Sequence, residues 1–463
     1  MKAGLISLST IPSGASVYIG NRRYTQKTPA ILRDLLPAEY LIRLNLKNHR
    51  PWARAVNVEA GKAAVYEKIL LLPQEWKPEQ LIPDKLDNLI PMPASHFLIL
   101  AKGSKLGDYF VYNLDEEKIW SLFSADSPFR SSEVLSCFIQ PSRPQAGFSL
   151  NGRPDVLFRV DSPQGEKLLW VEFKKGKARI DDLTNLFPPW PFWVEWDPGE
   201  SGHLFVFQYN YLNRLDIISK AVYPKYLENV RGYGLFDRAI YLVNNDGSLS
   251  KMDYDKKNQE GLLDAQILSP DLPQDKSFLQ VKIFSKDIIL LLGNRGEFFS
   301  NRFPYRVVES GVRGFEFYPP SEQVLVWQKD KLGILDFSKL NSEVNSEEGS
   351  ADKNGVRVSW LFNEGVNIEQ GLWVYGGSHI LFRDNDKLFL LELKGAKSGP
   401  GVNQIIQVKR KSQFFYSEHS GKVYYLNPSG FLSSLEIIPK KEIMLLPFPE
   451  IKEKEKENLE SEK

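Results

Sequence analysis

Pairs of short β-rich runs recur along most of this chain, and this recurrence most limits the folds open to it. Each pair has a run rich in β-branched and aromatic residues, a turn, and a second such run. In Ala239 to Met252, Asn-Asn-Asp-Gly joins the two runs, and Asp-Gly at such a place is a strong hairpin signal. About eight hairpins begin roughly 35 to 60 residues apart between residues 88 and 438.

This spacing predicts a β-propeller of seven or eight blades, with eight favoured by the hairpin count. Antiparallel sheets of this size cannot bury both faces alone, whereas radial stacking around an axis covers the faces and leaves only short edges. A pair of β-sandwiches is the alternative, but hairpins at one repeating spacing favour the propeller. To close the ring, we expect Ser433 to Ile438 to pair with a segment near residues 75–92.

The first 70 or so residues repeat the short-strand pattern on a smaller scale. Alternating runs bounded by Pro, Gly or Asn predict a small antiparallel β-sandwich. These runs are Leu5 to Leu8, Val17 to Ile19, Tyr40 to Leu44, Ala55 to Val58 and Ala64 to Tyr66. The predicted organisation is all-β, with a sandwich at 1–74, a linker at 75–87, a propeller at 88–440, and a C-terminal segment at 441–463 ending in a disordered charged tail.

Charge and hydropathy limit the classes of partner. The 59 Lys and Arg residues nearly cancel the 58 Asp and Glu residues, so the chain as a whole does not attract nucleic acid or anionic lipid. We therefore predict no nucleic-acid partner. No run of about 18 apolar residues occurs, so no membrane span is predicted within this chain.

Sequence patterns that carry catalysis are missing. The five histidines stand singly, with no HExxH spacing, and neither a GxSxG elbow nor a phosphate-binding glycine loop occurs. The single cysteine, Cys137, allows no intramolecular disulfide. We predict no catalytic residue, no metal site and no cofactor, and hence a protein that is not an enzyme. An enzyme with a site in the central channel, assembled from distant residues, is an alternative.

Residues 186–196, LFPPWPFWVEW, are the best candidate for a binding patch. They hold three tryptophans and two phenylalanines among three prolines. Tryptophan supplies a large apolar area with an N–H group, and it is enriched at binding surfaces. If exposed, Trp190, Phe192, Trp193 and Trp196 could form a partner-binding platform. Burial is the favoured alternative, with the stretch forming a linker and then the inner strand of a blade.

The opening segment resembles the PEGA domain. Residues 12–15, Pro-Ser-Gly-Ala, stand where this family has its Pro-Glu-Gly-Ala tetrad, and Thr28-Pro29 and Trp52 follow in the expected order. Ala38 stands where the family usually has a glycine, and Asn48-His49 stands where a Gly-Tyr pair is common. The motif shapes turns and the core, so the resemblance transfers no catalytic residue.

PEGA domains are small β-sandwich modules of bacterial and archaeal envelope proteins, commonly preceded by a transmembrane helix. The resemblance implies a non-catalytic, membrane-anchored protein of the cell envelope, outside the cytoplasm. The module would act as a spacer or dock near the membrane, and the propeller would present a surface to a protein or a cell-wall polymer. Met1 leads directly into the first strand, so we expect either an anchor removed from this sequence or a copy that begins without one. A cytoplasmic interaction scaffold is the alternative.

Overall fold

The computed structural model describes residues 3–92, 95–123, 127–139, 155–174, 177–198, 200, 202–264, 279–285, 288–302, 307–338, 357–393 and 401–439. Strands dominate these residues, with short 3-10 helices at Leu106–Asp108, Thr184–Leu186 and Pro319–Ser321. Within these ranges, no helix is long and apolar enough to cross a membrane. The predicted charged tail at 441–463 lies outside the described residues.

Seven strands form the N-terminal sandwich. They are β1 (Gly4–Ile11), β2 (Ser16–Ile19), β3 (Arg22–Lys27), β4 (Ala30–Leu35), β5 (Ala38–Asn45), β6 (Trp52–Val58) and β7 (Ala63–Leu70). One sheet has the order β4-β1-β7 and the other β3-β2-β5-β6. The sandwich is not wholly antiparallel as predicted, because β1 and β7 run parallel, with Leu5 opposite Ala63. The intervening strands supply the long crossover that parallel pairing needs.

Strand β8 (Glu79–Lys85) follows the sandwich, and the propeller strands then come in groups of four. Unit 1 contains β9 (Asn88–Pro91), β10 (Phe97–Ala101), β11 (Tyr109–Asn113) and β12 (Lys118–Ser121). Unit 2 contains β13 (Glu133–Ile139), β14 (Asp155–Ser162), β15 (Gly165–Lys174) and β16 (Lys177–Asp182). Unit 3 contains β17 (Trp193–Trp196), β18 (His203–Gln208), β19 (Tyr211–Asp216) and β20 (Ala221–Glu228). Unit 4 contains β21 (Val230–Phe236), β22 (Ala239–Asn244), β23 (Leu249–Asp253) and β24 (Gln259–Leu263).

The later units repeat this order. Unit 5 contains β25 (Leu279–Ser285), β26 (Ile288–Leu292), β27 (Phe298–Ser300) and β28 (Val307–Glu309). Unit 6 contains β29 (Gly314–Tyr318), β30 (Gln323–Trp327), β31 (Leu332–Asp336) and β32 (Val358–Phe362). Unit 7 contains β33 (Ile368–Val374), β34 (His379–Asp384), β35 (Lys387–Glu392) and β36 (Gly401–Gln407). Unit 8 contains β37 (Phe415–Ser417), β38 (Lys422–Leu426), β39 (Phe431–Glu436) and the early strand β8.

The first strands of successive units contact one another. Strand β13 contacts β17, β21 contacts β25, and β29 contacts β33. These strands therefore lie around the axis of the ring. The prediction of an all-β fold with a small sandwich and a propeller is confirmed. The predicted blade number of seven or eight stays a prediction, because the four-stranded units are counted only over the described residues.

Units 4 and 5 are joined into one eight-stranded sheet by parallel pairing of β21 with β25. Two glycines of β21 allow this approach. A Cβ on Gly232 would lie 2.4 Å from the Leu279 carbonyl oxygen, and one on Gly234 would lie 2.6 Å from that of Val281. Side chains at these two positions would force the inner strands apart.

The ring is closed by a strand from the start of the chain. β8 pairs antiparallel with β39, placing Gln80 opposite Ser433 and Glu79 opposite Ser434, and the predicted closing pair is thereby confirmed. The segment 75–87, expected to be a linker, thus contains a propeller strand. Its sequence is polar with a proline at position 83, which suits an edge strand whose outer side faces solvent.

Ile82 is the buried residue of β8, and it packs with Leu89 of unit 1 and Leu432 of unit 8. We expect Ile82→Ala to lower the free energy of unfolding by roughly 2–4 kcal/mol, because a cavity would open at the seam of the ring. Thermal or denaturant unfolding of the full chain measures this. Lys85→Ala, at an exposed position of the same strand, is the control. An equal effect of the two substitutions would mean that the seam does not depend on the Ile82 side chain.

The apolar run Ile69-Leu70-Leu71-Leu72 connects the two domains. Ile69 and Leu71 lie in the sandwich core, whereas Leu70 and Leu72 lie in a cluster with residues of units 7 and 8 such as Leu390. Successive side chains of an extended segment point to opposite sides. Both sides of this continuous apolar run are therefore buried, one side by the sandwich and the other side by the propeller.

A charged contact lies beside this run. The Arg54 Nη2 atom lies 2.8 Å from Glu392 Oε2, and the indole nitrogen of Trp52 donates to the same carboxylate at 3.3 Å. The two charged side chains are only 9% and 15% exposed. His379 lies in the same interface, and burial followed by the charge of Arg54 lowers its pKa to about 4, so this imidazole is neutral at neutral pH.

We expect Arg54→Ala to destabilise the protein by roughly 2–4 kcal/mol, because Glu392 would be left buried without its cation. The Arg54→Ala/Glu392→Ala pair should cost less than the sum of the two single substitutions. Thermal unfolding of the four proteins of this double-mutant cycle gives the coupling energy. Lys62→Ala, which removes the solvent-exposed Lys62–Glu59 pair, should leave the midpoint temperature of thermal unfolding unchanged. Additive single effects would contradict a direct contribution of the pair.

Candidate functional site

The predicted binding patch lies at the start of unit 3, and the structure divides its four residues into two groups. Trp190 and Trp193 are 43% and 45% exposed, whereas Phe192 and Trp196 are buried. Exposure and burial alternate along β17 because successive side chains of a strand point to opposite sides. Neither expectation from the sequence, full exposure or full burial, describes the stretch as a whole.

Trp196 has a structural role between two units. Its ring packs in a cluster that includes Leu157 and Trp170 of unit 2, and its indole nitrogen donates to the carbonyl of Phe138 at 3.2 Å. Trp373 on β33 makes the equivalent bond to the carbonyl of Glu316 at 3.1 Å. Inner-strand tryptophans therefore tie one unit to the preceding one, and Trp196 does not belong to a binding surface.

The exposed tryptophans have aromatic neighbours that the sequence analysis missed. Tyr209, at the turn between β18 and β19, is 75% exposed, and its ring centroid lies 6.2 Å from that of Tyr211. The turn is fixed to the Trp190 segment, because Gln208 donates to the Pro189 carbonyl at 2.5 Å and accepts from the Tyr211 hydroxyl at 2.8 Å. Strand pairing places Trp193 opposite Phe207, two residues before Tyr209.

Unit 2 adds a cation to the same surface. The guanidinium carbon of Arg159 lies 3.7 Å from the ring centroid of Trp190, a cation–π contact. Arg159 also donates two hydrogen bonds to Glu166, at 2.9 and 2.7 Å. The hydrogen bonding from Arg159 lowers the pKa of Glu166, so this carboxylate stays ionised and fixes the guanidinium over the indole.

We call the set Trp190, Trp193, Tyr209, Tyr211 and Arg159 the rim patch. It combines large aromatic area with hydroxyl, indole and guanidinium donors at one end of unit 3, with Arg159 contributed by unit 2. Only the two tryptophans were named from the sequence. The sequence Tyr-Asn-Tyr at residues 209–211, directly between two β-rich runs, was the available signal for the tyrosines. Nothing local marked Arg159, which comes from a different unit.

Metal-binding and nucleophilic side chains are the other groups that could build a site. Over the described ranges, no three His, Cys, Asp or Glu side chains converge in a way that could hold a metal ion. Burial raises the pKa of Cys137 to about 11, so this thiol is protonated at neutral pH. The rim patch is therefore the candidate site that the described residues build.

The tetrad at residues 12–15 forms a hydrogen-bonded clasp with Thr28. The amide of Gly14 donates to the Thr28 carbonyl at 2.7 Å, and the amide of Ala15 donates to the Thr28 hydroxyl at 2.9 Å. Gly14 has a φ of 88°, which glycine adopts without the steric cost of a side chain. The clasp joins the β1–β2 turn to the start of β4, and it explains why a Pro-x-Gly-Ala tetrad and a distant Thr-Pro occur together.

Comparison with known families matches the PEGA domain to residues 3–70. A comparison with curated proteins finds none that matches this chain. Among solved structures, the chain is similar to the β-propeller domain of Myceliophteria thermophila Cps50 (Swd1), with 11% identity, a TM-score of 0.42, and coverage of 79% of this chain and 99% of that one. It is also similar to the computationally designed Ika8 protein, with 10% identity, a TM-score of 0.44, and coverage of 77% and 99%. These likenesses are remote, and the sheet topology carries the fold assignment. Residues 3–70 are thus a PEGA domain, which this chain joins to a β-propeller.

Proposed function

We propose that this protein is a non-catalytic binding scaffold of the cell envelope, and that its rim patch binds a partner protein. The PEGA domain and the propeller fold both support a binding or scaffold role. The envelope location is supported by the PEGA domain alone, since this module is typical of proteins outside the cytoplasm. A scaffold located in the cytoplasm is the alternative, and the accessibility of the protein to added protease distinguishes the two locations.

The observation that carries the proposal is the exposure of Trp190, Trp193 and Tyr209, which lie at the same end of unit 3. Large aromatic side chains that remain exposed in a protein with a well-packed core are candidates for contact with a partner. Loops and turns on the edges of a rigid scaffold are the usual place for such contacts.

The composition of the rim patch favours a protein over a cell-wall polymer. Tryptophan, tyrosine and arginine are the residues most enriched among those that dominate protein–protein binding energy. Arg159 is already positioned by Glu166 and by the Trp190 ring, so little side-chain entropy remains to be lost on binding. A rigid, amphipathic surface of this kind suits a protein partner with apolar groups and hydrogen-bond acceptors.

The PEGA domain would fix the direction in which this surface faces. It is held to units 7 and 8 by Leu70 and Leu72 on one side of an extended segment and by the Arg54–Glu392 pair beside it. If the PEGA domain docks near the membrane, the propeller is then presented at a defined orientation rather than on a flexible tether.

An envelope location predicts that the native protein is accessible from outside the cytoplasm. In cells of the source organism whose cytoplasmic membrane is intact, added protease should degrade this protein once the outer layers are permeabilised, while a cytoplasmic marker survives. Survival of both proteins until the cytoplasmic membrane is lysed would support the cytoplasmic alternative instead.

A photo-crosslinking amino acid at position 209 tests the patch directly. In native cells it should form a covalent adduct of one discrete mass with a protein, and Trp193→Ala should reduce the yield at least tenfold, as expected for a residue worth more than about 1.4 kcal/mol. Tyr223, an exposed tyrosine of the outermost strand of the same unit, is the matched position for the control crosslinker.

The result separates the possible partners. Adducts that remain with the insoluble wall fraction and disappear after glycan digestion would identify a cell-wall polymer. Equal adduct yields from positions 209 and 223, unaffected by Trp193→Ala, would remove the rim patch as the binding surface.

A further inference from the structure

A second and separate feature is a cavity of about 540 Å³ between units 5 and 6. Its walls include Lys282 and Phe284 from β25, Glu316 and Phe317 from β29, and Trp327 from β30. Because β25 and β29 are inner strands, the cavity lies on the axial side of the ring. Its volume is in the range of sites that bind small organic molecules.

One wall of the cavity is apolar and aromatic. The rings of Phe284 and Phe317 are tilted by 30° with centroids 4.3 Å apart. The Trp327 ring lies directly against Gly314, where an added Cβ would come within 2.3 Å of the indole. Glycine at this position therefore allows the indole to occupy the wall, and a planar ligand would find aromatic surface on two sides.

The polar groups of the cavity are mostly hydrogen-bond donors. Lys282 lies 3.4 Å from Glu195, and Arg313 donates to Asn367 at 2.6 Å. A lysine side chain has three N–H donors and an arginine side chain has five. Among the described residues, each of these contacts uses only one of them. Both cations can therefore bind a further acceptor.

Among the described residues that line the cavity, Glu316 is the only one with a carboxyl group. Burial raises its pKa to about 8, so at pH 7 most molecules carry the protonated acid, which donates a hydrogen bond. At pH 7 the described lining therefore carries two cations, Lys282 and Arg313, and in most molecules no carboxylate. Among the described residues, Glu195 on β17 of unit 3 is the carboxyl group that pairs with Lys282.

Trp327, a residue of the cavity wall, holds a buried hydrogen-bond donor in its indole nitrogen. The residue is 8% exposed, and its Nε1 atom has no hydrogen-bond partner within the described part of the chain. An unsatisfied buried donor costs about 1–3 kcal/mol. The inner-strand indoles of Trp196 and Trp373, by contrast, both donate to carbonyls of the preceding unit.

We propose that this cavity binds a small organic acid with a planar apolar body. The carboxylate of the ligand lies against Lys282 and Arg313, and its apolar body packs on Phe284, Phe317 and Trp327. This site is distinct from the rim patch and does not depend on the function proposed for that surface.

Three indoles whose side chains are negative, neutral and positive at pH 7 test the proposal: indole-3-acetate, indole-3-acetamide and tryptamine. Isothermal titration of the full chain at pH 7 should give the tightest binding for the carboxylate, at least tenfold weaker binding for the amide, and none for the amine. Equal affinities for the acid and the amide, or absence of binding of indole-3-acetate at millimolar concentration, would overturn the proposal.

Substitutions assign the binding to this cavity. Arg313→Gln should lower the affinity for indole-3-acetate at least tenfold. Lys220→Gln, which removes an exposed lysine of unit 3, should leave this affinity unchanged. Lys282→Gln is a second test, and circular dichroism will show whether the loss of its Glu195 contact disturbs the fold. If Arg313→Gln and a folded Lys282→Gln variant both keep the wild-type affinity, the probe binds elsewhere and the proposal fails.

The pH dependence supplies an independent readout. Between pH 7 and pH 9, ionisation of Glu316 removes a donor and adds a negative charge beside the ligand, so the affinity of the wild type should fall about tenfold. Glu316→Gln keeps a neutral donor, and its affinity should change little over the same range. A parallel fall in both proteins would show that Glu316 does not face the ligand.

Discussion

The pairing of β8 with β39 is the contact on which the rest of the structure depends. It joins the first propeller strand of the chain to the last unit, so that the ring is held closed by a segment that directly follows the PEGA domain. The PEGA domain must consequently lie near units 7 and 8. The double-sided burial of Ile69 to Leu72 and the Arg54–Glu392 pair then convert this proximity into a packed interface.

Neighbouring units are held together by inner-strand side chains that bond to the backbone of an adjacent unit. The indoles of Trp196 and Trp373 and the phenol of Tyr233 donate to carbonyls of the unit before them, and Gln370 bonds in both directions with the backbone of Phe414. Such bonds satisfy backbone groups that face an adjacent sheet rather than a paired strand. Trp327, on the second strand of unit 6, has no such bond among the described residues, and it lines the cavity between units 5 and 6.

The sequence predicted the architecture well because hairpin signals and strand periodicity are local. Asp-Gly turns and alternating runs are read over a few residues, and their repeat spacing is enough to indicate a propeller. The PEGA tetrad and Thr28-Pro29 were recognised for the same reason, although only the structure shows that they are two halves of one clasp. The parallel pairing of β1 with β7 was missed, because nothing in either strand encodes the direction of its partner.

What the sequence determined by itself was the fold class, the position of the PEGA domain and the segment that closes the ring. What only the tertiary structure decided was which aromatic residues are exposed and which polar groups meet. Trp193 and Trp196 are three residues apart and similar in sequence context, yet one is at the surface and the other joins two units. In a ring of sheets each site is assembled from several units, as Arg159 and Tyr209 are at the rim patch and Lys282 and Glu316 are in the cavity. Such proximity depends on how the sheets stack, and residues far apart in the chain give no local signal of it.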